Sequence, residues 1–516
     1  MLAIFALAVL ATPAAHAQSG GTGQNCFGEV EADGVEQRPG PPLRFGITPR
    51  VQAGQLGAMP QPAVPDDPPK TLDALRALRP TGRPLVLRLN RFFWSEEEKG
   101  IQEFLALAER YTSRGFLVEL QLRYHPRPDQ EGNIAAWTEF VREVVRRFGP
   151  NRRVVAVQVT NEVNFALSRD SSDGAYEGAR DALIQGVIAA KDEAEKGGHE
   201  QLEIGFNWFY RTDPSNESSF WQHLRDRGGP EFVAALDWVG LDAYPGTFFP
   251  PAEPTGDDFR DGIVNGLSTL RCLMGVPGIP MSVPVHVEEN GYPTSPPSRS
   301  YEQQVEAAEA MIRAVHDFRG TYNVTDYRWF NLRDANSSDP NFQQQYGLLR
   351  DDYTPKPAFP LYSALIEELS LKNPEPDVRL YFVASPRNGR CGRLAEVAFE
   401  AGGPGVHEVE RVELLRGGRV VATDSTAPFN VGARFRRRSS TTYRVAIFFF
   451  DERVRRSAFP RFVCSPAEPA PPRSGGGNDG GEKKARCRRT ALAVSTTTRR
   501  TRGRGICARN NRGTSR

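Results

Sequence analysis

Residues 153–162 read RVVAVQVTNE, and residues 283–291 read VPVHVEENG. Each stretch is a short run dominated by valine that ends abruptly in Asn and Glu. Apolar runs of this length are typical of strands that are buried on both faces, as in a parallel sheet covered by helices. The two stretches therefore predict two parallel strands whose carboxyl ends carry acidic side chains.

Similar runs recur along the first two thirds of the chain, separated by amphipathic segments such as residues 97–114, 134–148, 176–196 and 301–318. Eight strands that alternate with helices predict a (β/α)8 barrel. A doubly wound sheet also alternates strands and helices, but no GxGxxG follows the first strand and eight units favour closure. The predicted strands are residues 43–48, 84–90, 116–124, 153–161, 202–208, 236–244, 283–289 and 327–332.

The predicted barrel covers residues 43–370 of the 516 residues, and changes in composition divide the rest of the chain into segments. Residues 1–17 contain an apolar run with a small-x-small cleavage site, too short to span a bilayer, which predicts a secretory signal and an extracellular protein. No Lys or Arg precedes that run, which departs from the usual pattern. Residues 18–42 are rich in Gly, Pro and polar residues and predict a flexible lead-in. No other apolar run is long enough to cross a membrane.

Residues 378–464 change character, because the strands are short and no helical period is visible. Residues 409–424 read VERVELLRGGRVVATD, two alternating runs around Gly417-Gly418, which predicts a β-hairpin. The stretch resembles the bacterial immunoglobulin-like modules that are appended to secreted glycan-active enzymes. We expect a small all-β sandwich here, with Cys391 and Cys464 as the favoured disulfide pair.

Residues 465–516 are Pro- and Gly-rich and then strongly basic, which predicts a disordered tail. The tail could hold an acidic cell-wall polymer, although a solvated extension is the simpler interpretation. The formal net charge of +2 indicates no special partner. We expect that the protein binds no nucleic acid and that it is a monomer. None of the six cysteines has CxxC or CxxH spacing, so we expect no metal and no cofactor.

Barrel enzymes carry their catalytic groups at the carboxyl ends of the strands, so these ends are the candidate site. Two of the eight predicted strands end in Glu, and cleavage of a β-glycoside needs two carboxyl groups, one protonated and one ionised. Strands four and seven face each other across a closed barrel, so Glu162 and Glu289 could point at one bond. The strand ends offer Arg88 and Asn90, Arg123 and His125, Asn161 and Glu162, Asn207 and Trp208, Asp242 and Tyr244, Glu288 and Glu289, and Trp329, Asn331 and Asp334.

Two motifs on these strands resemble a known group of enzymes. Residues 159–162, VTNE, look like the acid/base motif of the clan A retaining glycoside hydrolases, and residues 287–291, VEENG, look like their nucleophile motif. The resemblance covers residues 43–370 and is closest to cellulase- or mannanase-like family 5 or a related barrel family. It implies a β-linked glycan substrate, Glu162 as general acid/base and Glu289 as nucleophile.

The resemblance carries supporting roles onto four matching positions. Arg88 would hydrogen-bond Glu289, and Asn161 would bind the sugar 2-hydroxyl. Tyr244 would donate to the nucleophile, and Trp329 would form a stacking floor for the −1 sugar. The alternatives are structural: Arg88 could neutralise buried acids, and Tyr244 and Trp329 could be core residues.

Other positions are less specific. His125 and Asn207 are candidates near the subsites, although His125 could be an ordinary surface residue, and Trp94 and Trp208 fit aromatic subsites or the core. Because side chains alternate along a strand, only one of Glu288 and Glu289 should enter the barrel mouth. The motif selects Glu289, and a shifted register would select Glu288 instead.

Asp242 departs from the related enzymes, which often carry His two residues before the tyrosine of strand six. This departure leaves the sugar contacts there open, and the exact family with them. The same residues would also serve a transglycosylase that uses a sugar acceptor. A non-catalytic carbohydrate- or wall-binding protein is the third hypothesis, which the presence of both Glu residues disfavours. The glycan is set by loops, of which residues 244–254 and 331–346 are expected to line the cleft.

Overall fold

The computed structural model of the chain describes residues 23–50, 62–210, 214–249, 255–385, 394–436 and 443–458. The chain divides into two compact units, Met1–Pro374 and Glu375–Arg516. The predicted signal at residues 1–17, the expected Cys391–Cys464 pair and the basic tail at 465–516 lie outside the described residues. Within the described ranges, no helix has both the length and the apolarity that a membrane crossing requires.

The first unit is a closed barrel of eight strands in sequential order. Every neighbouring pair is parallel, including β8 with β1, so the predicted (β/α)8 barrel is confirmed. Seven strands overlap their predicted ranges within a few residues. The strands are β1 (Arg44–Ile47), β2 (Val86–Phe93), β3 (Leu117–Arg123), β4 (Val154–Val159), β5 (Glu203–Phe209), β6 (Trp238–Ala243), β7 (Val285–Asn290) and β8 (Val324–Trp329).

Helices connect the strands and cover the outside of the barrel. The segment predicted at 134–148 forms a helix with the same bounds, because Asn133 caps its first turn by accepting from the backbone of Ala136. Its apolar stripe, which includes Trp137 and Val144, is buried. The helices are α1 (Pro68–Leu78), α2 (Glu97–Thr112), α3 (Ile134–Phe148), α4 (Ala179–Gly197), α5 (Pro214–His223), α6 (Gly229–Ala234), α7 (Gly256–Met274), α8 (Tyr301–Asp317), α9 (Arg319–Tyr322) and α10 (Ala358–Leu369).

The last strand of the barrel is displaced from its prediction, since β8 ends at Trp329 and not at Leu332. Arg328 points into the barrel, where its Nε lies 3.2 Å from Glu119 Oε2. Alternation then turns the Trp329 side chain outward. The difference decides which aromatic side chain can reach the site.

The segment before the barrel corrects the expectation of a flexible lead-in for its described residues, 23–42. Cys26 forms a disulfide with Cys272 on α7. The backbone N–H groups of Val30 and Ala32 donate to side chains of the same helix, and Ala32 is buried. These contacts fix the segment on the outer face of the barrel.

The second unit contains two antiparallel sheets, which agrees with the prediction of a β domain after the barrel. The predicted hairpin is present, with Gly417 and Gly418 both at positive φ in the turn between β11 and β12. Its likeness to an immunoglobulin module stays a prediction. The strands are β9 (Arg379–Ser385), β10 (Leu394–Gly402), β11 (Val409–Arg416), β12 (Arg419–Asp424), β13 (Asn430–Arg436), β14 (Tyr443–Phe449) and β15 (Val454–Ala458).

Candidate active site

Glu162 stands three residues beyond β4, on a sharp turn at the carboxyl end of the barrel. Thr160 and Glu162 both have positive φ, at 66° and 45°. Two polar side chains hold this turn: Asp173 accepts the backbone N–H of Asn161, and Asn207 accepts that of Glu162, each at 2.9 Å. The strained backbone is thus fixed on both sides of the carboxylate, as is common at functional sites.

Glu289 lies near the end of β7, where the strand carries an irregularity. Leu241 pairs with Val287 but Asp242 pairs with Glu289, so Glu288 is an extra residue in this ladder. Such a bulge breaks the alternation of side chains. Glu288 and Glu289 both contact Arg88, at 3.3 and 2.7 Å, and therefore lie on the same side of the sheet.

Alternation therefore does not separate these two Glu residues, since both side chains face the barrel interior. Glu288 is fully buried in the barrel interior, where its Oε1 lies 3.2 Å from His286 Nδ1. Glu289 stands one residue closer to the mouth, with 8% of its surface exposed. Of the two, Glu289 is the one that reaches the cleft.

Three carboxyl groups converge at this point. Single oxygen atoms of Glu162, Glu289 and Asp242 all lie within 4.8 Å of one another. A separation of about 5–5.5 Å between two carboxyl groups is the spacing of retaining glycosidases, whereas inverting enzymes need about 6.5–9.5 Å. The same three oxygens are close enough to share one cation, and the expectation of no metal stays a prediction.

Glu289 has a partner on each oxygen. Arg88 donates from Nη1 to Oε1 at 2.7 Å, and the Tyr244 hydroxyl donates to Oε2 at 2.7 Å. Arg88 is fully buried and is itself held by Gln158, whose Oε1 accepts from Nε and Nη2. A guanidinium and a hydroxyl in this arrangement stabilise a carboxylate.

Glu162 has the opposite surroundings. It is buried, and among the described residues no Lys, Arg or His forms a salt bridge with it. Burial raises the pKa of Glu162 to about 8, and the negative charge of Glu289 acts in the same direction. Glu162 is therefore protonated at neutral pH, as a general acid must be.

Asn161 and Asn207 form an amide network below the two carboxylates. Asn161 Oδ1 accepts from Asn207 Nδ2 at 2.8 Å and from Gln121 Nε2 at 2.6 Å, and its own Nδ2 donates to the carbonyl of Ser171. Asn207 is fully buried, so it supports Glu162 and does not line a subsite. A contact between Asn161 and a sugar stays a prediction.

Trp329 does not form the floor of the cleft, which corrects the role inferred for it. The side chain is fully buried and packs against Tyr362 on α10, at 6.2 Å between ring centroids. The next residue, Phe330, turns back to the mouth. Its ring lies 6.4 Å from that of Tyr244 and 5.5 Å from that of Tyr346. Phe330 is the aromatic side chain that the displaced end of β8 brings to the site.

The remaining candidates form no hydrogen bond or ion pair with Glu162 or Glu289 among the described residues. His125 is half-buried, with its ring 4.4 Å from Phe93 and its Nδ1 3.3 Å from Ser95 Oγ. Trp208 is fully buried and donates its indole N–H to Glu217. Trp94 is also a core residue, 3% exposed.

Sequence reasoning missed Gln158 and Phe330 and gave Arg123 no role at the site. Gln158 interrupts the apolar run of β4, and Arg123 ends β3 with its Nε 2.8 Å from Asp173 Oδ1. A polar residue inside a fully buried strand was the available signal for Gln158. No comparable local signal marked Phe330.

No family model and no curated protein matches this chain. Among solved structures, a calcium-binding mutant of Bacteroides uniformis β-glucuronidase 2 is 13% identical, with a TM-score of 0.41 over 83% of this chain and 46% of that chain. This chain thus spans about half the length of that protein. A family 39 glycoside hydrolase from Bacteroides cellulosilyticus is 14% identical, with a TM-score of 0.43 over 77% of this chain and 79% of that one. An exo-β-1,4-mannosidase from an Opitutaceae bacterium is 14% identical, with a TM-score of 0.43 over 63% and 59%.

Proposed function

We propose that this chain is a retaining β-glycoside hydrolase that cleaves a poly- or oligosaccharide by double displacement. The observation that carries the proposal is the pair Glu162 and Glu289, whose nearest oxygens lie within 4.8 Å. Their surroundings differ as the reaction requires, since Glu289 is paired with Arg88, whereas Glu162 is buried and forms no salt bridge with any described residue.

In the first step, Glu289 attacks the anomeric carbon while the Glu162 carboxyl gives its proton to the leaving oxygen. The bond from the carbon to the leaving oxygen breaks, and a bond to a Glu289 oxygen forms. The covalent bond removes the negative charge of Glu289. That charge is one of the two main causes of the raised pKa of Glu162, the other being burial, so Glu162 becomes a weaker proton acceptor than before.

In the second step, Glu162 takes a proton from water, and the water oxygen bonds to the anomeric carbon as Glu289 departs. Two inversions at one carbon retain its configuration. Arg88 and Tyr244 hold Glu289 in place for both steps. Phe330 and Tyr346 supply an aromatic wall beside it.

The proposal includes export, because residues 1–17 have the pattern of a secretory signal. It also includes a β domain after the barrel, and contact between the basic tail and an acidic cell-wall polymer. These parts are independent of the catalytic assignment.

The test is a screen of the purified protein on cellulose, mannan, xylan and β-1,3-glucan, with release of reducing ends as the readout. We expect hydrolysis of at least one polymer by the wild type and none by Glu289→Ala. Glu217→Gln is the matched control, because Glu217 is a buried acid of the same barrel that bonds Trp208 and lies outside the carboxylate cluster. Wild-type rates in Glu289→Ala on an accepted glycan would refute the proposal.

A further inference from the structure

Asp242 is the third carboxyl group of the site, and the mechanism above gives it no task. It lies at the end of β6 and is fully buried. Its Oδ2 accepts a hydrogen bond from Asn207 Nδ2. Its Oδ1 is buried and has no N–H or O–H donor among the described residues. One carboxyl oxygen of Asp242 lies within 4.8 Å of an oxygen of Glu162 and of Glu289.

The charges around Asp242 do not balance if every acid is ionised. Among the described residues, Arg88 is the cation that forms a salt bridge with one of the three carboxyl groups, and it lies 2.7 Å from Glu289. Two negative charges at this distance in a buried site repel strongly, so at least one acid must hold a proton. The ionisable groups that face the pair of Asp242 and Glu162 are Glu289 and Glu288 on β7, Arg88 on β2, Arg123 on β3 and Tyr244 after β6.

Asp242 is the group that should keep the proton. Burial raises the pKa of Asp242 well above its ordinary value, and the charges of Glu289 and Glu162 raise it further. Since Oδ2 accepts from Asn207, the hydroxyl of a neutral Asp242 resides on Oδ1. Oδ1, which accepts no hydrogen bond from a described residue, is therefore the oxygen that carries the proton and can donate it in a hydrogen bond.

We propose that Asp242 is a positioning residue that stays neutral and donates a hydrogen bond from its Oδ1 hydroxyl to the carboxylate of Glu162. This inference rests on the proposed function, because it concerns the basicity of Glu162 in the second step. When Glu162 has given up its proton, the Asp242 hydroxyl stabilises the resulting charge. Asp242 keeps its own proton throughout, so Glu162 alone exchanges protons with the leaving oxygen and with water.

Asp242 stands where related enzymes often carry His, and this difference affects the acidity of Glu162. A hydrogen bond donated to a carboxylate favours its ionised form. Asp242 thus opposes the effects of burial and of Glu289, which would otherwise keep Glu162 protonated too strongly. An ionised Asp242 would have the reverse effect, because its charge would favour the protonated form of Glu162.

The experiment compares the wild type with Asp242→Asn, Asp242→Ala and Asp237→Ala. The control residue Asp237 directly precedes β6 at the opposite end of the barrel, where it pairs with Lys191. Substrates are 2,4-dinitrophenyl β-cellobioside, β-mannobioside and β-xylobioside, whose good leaving group makes the second step rate-limiting. The readouts are the pH profiles of kcat and kcat/KM.

We expect Asp242→Asn to keep the acid limb of kcat, where Glu162 acts as the base of the rate-limiting second step, within a few tenths of a pH unit, because its amide donates to Glu162 and accepts from Asn207. Asp242→Ala loses the donor, which raises the pKa of Glu162 and moves the limb to higher pH. Loss of a hydrogen bond to a charged group should lower kcat by about 10- to 100-fold. KM should fall with it, because the first step is spared and the glycosyl-enzyme accumulates.

A limb that moves down by a full pH unit in Asp242→Asn would mean that Asp242 is ionised and would overturn the inference. Equal kcat values and equal pH profiles of Asp242→Ala and Asp237→Ala would also overturn the inference. If Asp242→Ala does not fold, the isosteric Asn variant decides alone. Failure of the wild type on every substrate, including the polymers, would instead refute the proposed function.

Discussion

The ends of β4 and β7 carry the same residue type in opposite surroundings. At β7, Glu289 receives Arg88 on one oxygen and Tyr244 on the other. At β4, Glu162 is buried without a salt bridge among the described residues, and burial raises its pKa to about 8. The same residue type thus stands beside a cation and a hydroxyl donor at one strand end and in a buried site without a salt bridge among the described residues at the other.

The neighbours of each carboxyl group produce this difference. A pair of titratable groups whose environments push their protonation states apart is the mark of an acid and a nucleophile in one site. The neighbours come from five strands: Arg88 from β2, Gln158 from β4, Asn207 from β5, and residues that end β6 and β7. A variant that removes one of these neighbours should make Glu162 and Glu289 more alike in their effect on activity.

The largest effect is expected when each carboxylate is removed and replaced by external azide. Loss of a nucleophile costs on the order of 10⁶-fold in kcat, and loss of an acid/base costs about 10²- to 10⁴-fold. Azide should enter the space of Glu289 in Glu289→Ala and give the α-glycosyl azide. In Glu162→Ala, azide should attack the glycosyl-enzyme from the other face and give the β-glycosyl azide. NMR of the products from a 2,4-dinitrophenyl glycoside distinguishes the two.

The same anomer from both variants would contradict the assignment. An exchange of the two products would mean that Glu162 is the nucleophile and Glu289 the acid. The Glu217→Gln control should yield no glycosyl azide under the same conditions, since both carboxylates are intact and water is the acceptor.

The barrel was predictable because its signal is local. A parallel strand covered by helices is an apolar run of five to eight residues, and such runs mark β2 through β7 in the sequence. The two candidate catalytic Glu residues were accessible for the same reason, since each directly follows a valine-rich run. Even Asp242 was visible as an unusual residue at a strand end, although nothing local revealed that it lies within 4.8 Å of Glu162.

The features that escaped prediction depend on partners far away in the chain. The bulge at Glu288 exists only in the pairing of β7 with β6, so alternation within β7 could not reveal it. The outward turn of Trp329 follows from the bond of Arg328 to Glu119, which lies 209 residues earlier. The Cys26–Cys272 bridge joins residues 246 apart, and spacing alone favoured no partner for either cysteine.

A smaller effect is expected from removing one hydrogen bond to Glu289. Tyr244→Phe leaves the ring in its aromatic cluster but deletes the donor to Oε2. A hydrogen bond to a charged group is worth about 1.5–3 kcal/mol, so kcat/KM should fall by about 10- to 100-fold. The matched control is Tyr362→Phe, which loses a bond of 2.6 Å to the carbonyl of Gly46 outside the site. The control should lower the melting temperature and leave kcat/KM unchanged; equal losses of activity in both variants would count against a role of Tyr244 at Glu289.

The smallest effect is a pH dependence, and its sign follows from the surroundings of Glu162. In the proposed mechanism the first step needs Glu162 protonated, and its pKa of about 8 keeps it so through neutral pH. The kcat/KM of the wild type on a glycan should therefore be level up to about pH 8 and then fall roughly tenfold per pH unit. A 2,4-dinitrophenyl glycoside, whose leaving group needs no proton, should show no such limb with the wild type. A wild-type limb near pH 4 to 5 would mean that burial and Glu289 do not distinguish Glu162 from an ordinary glutamate, and the contrast between the two strand ends would then fail.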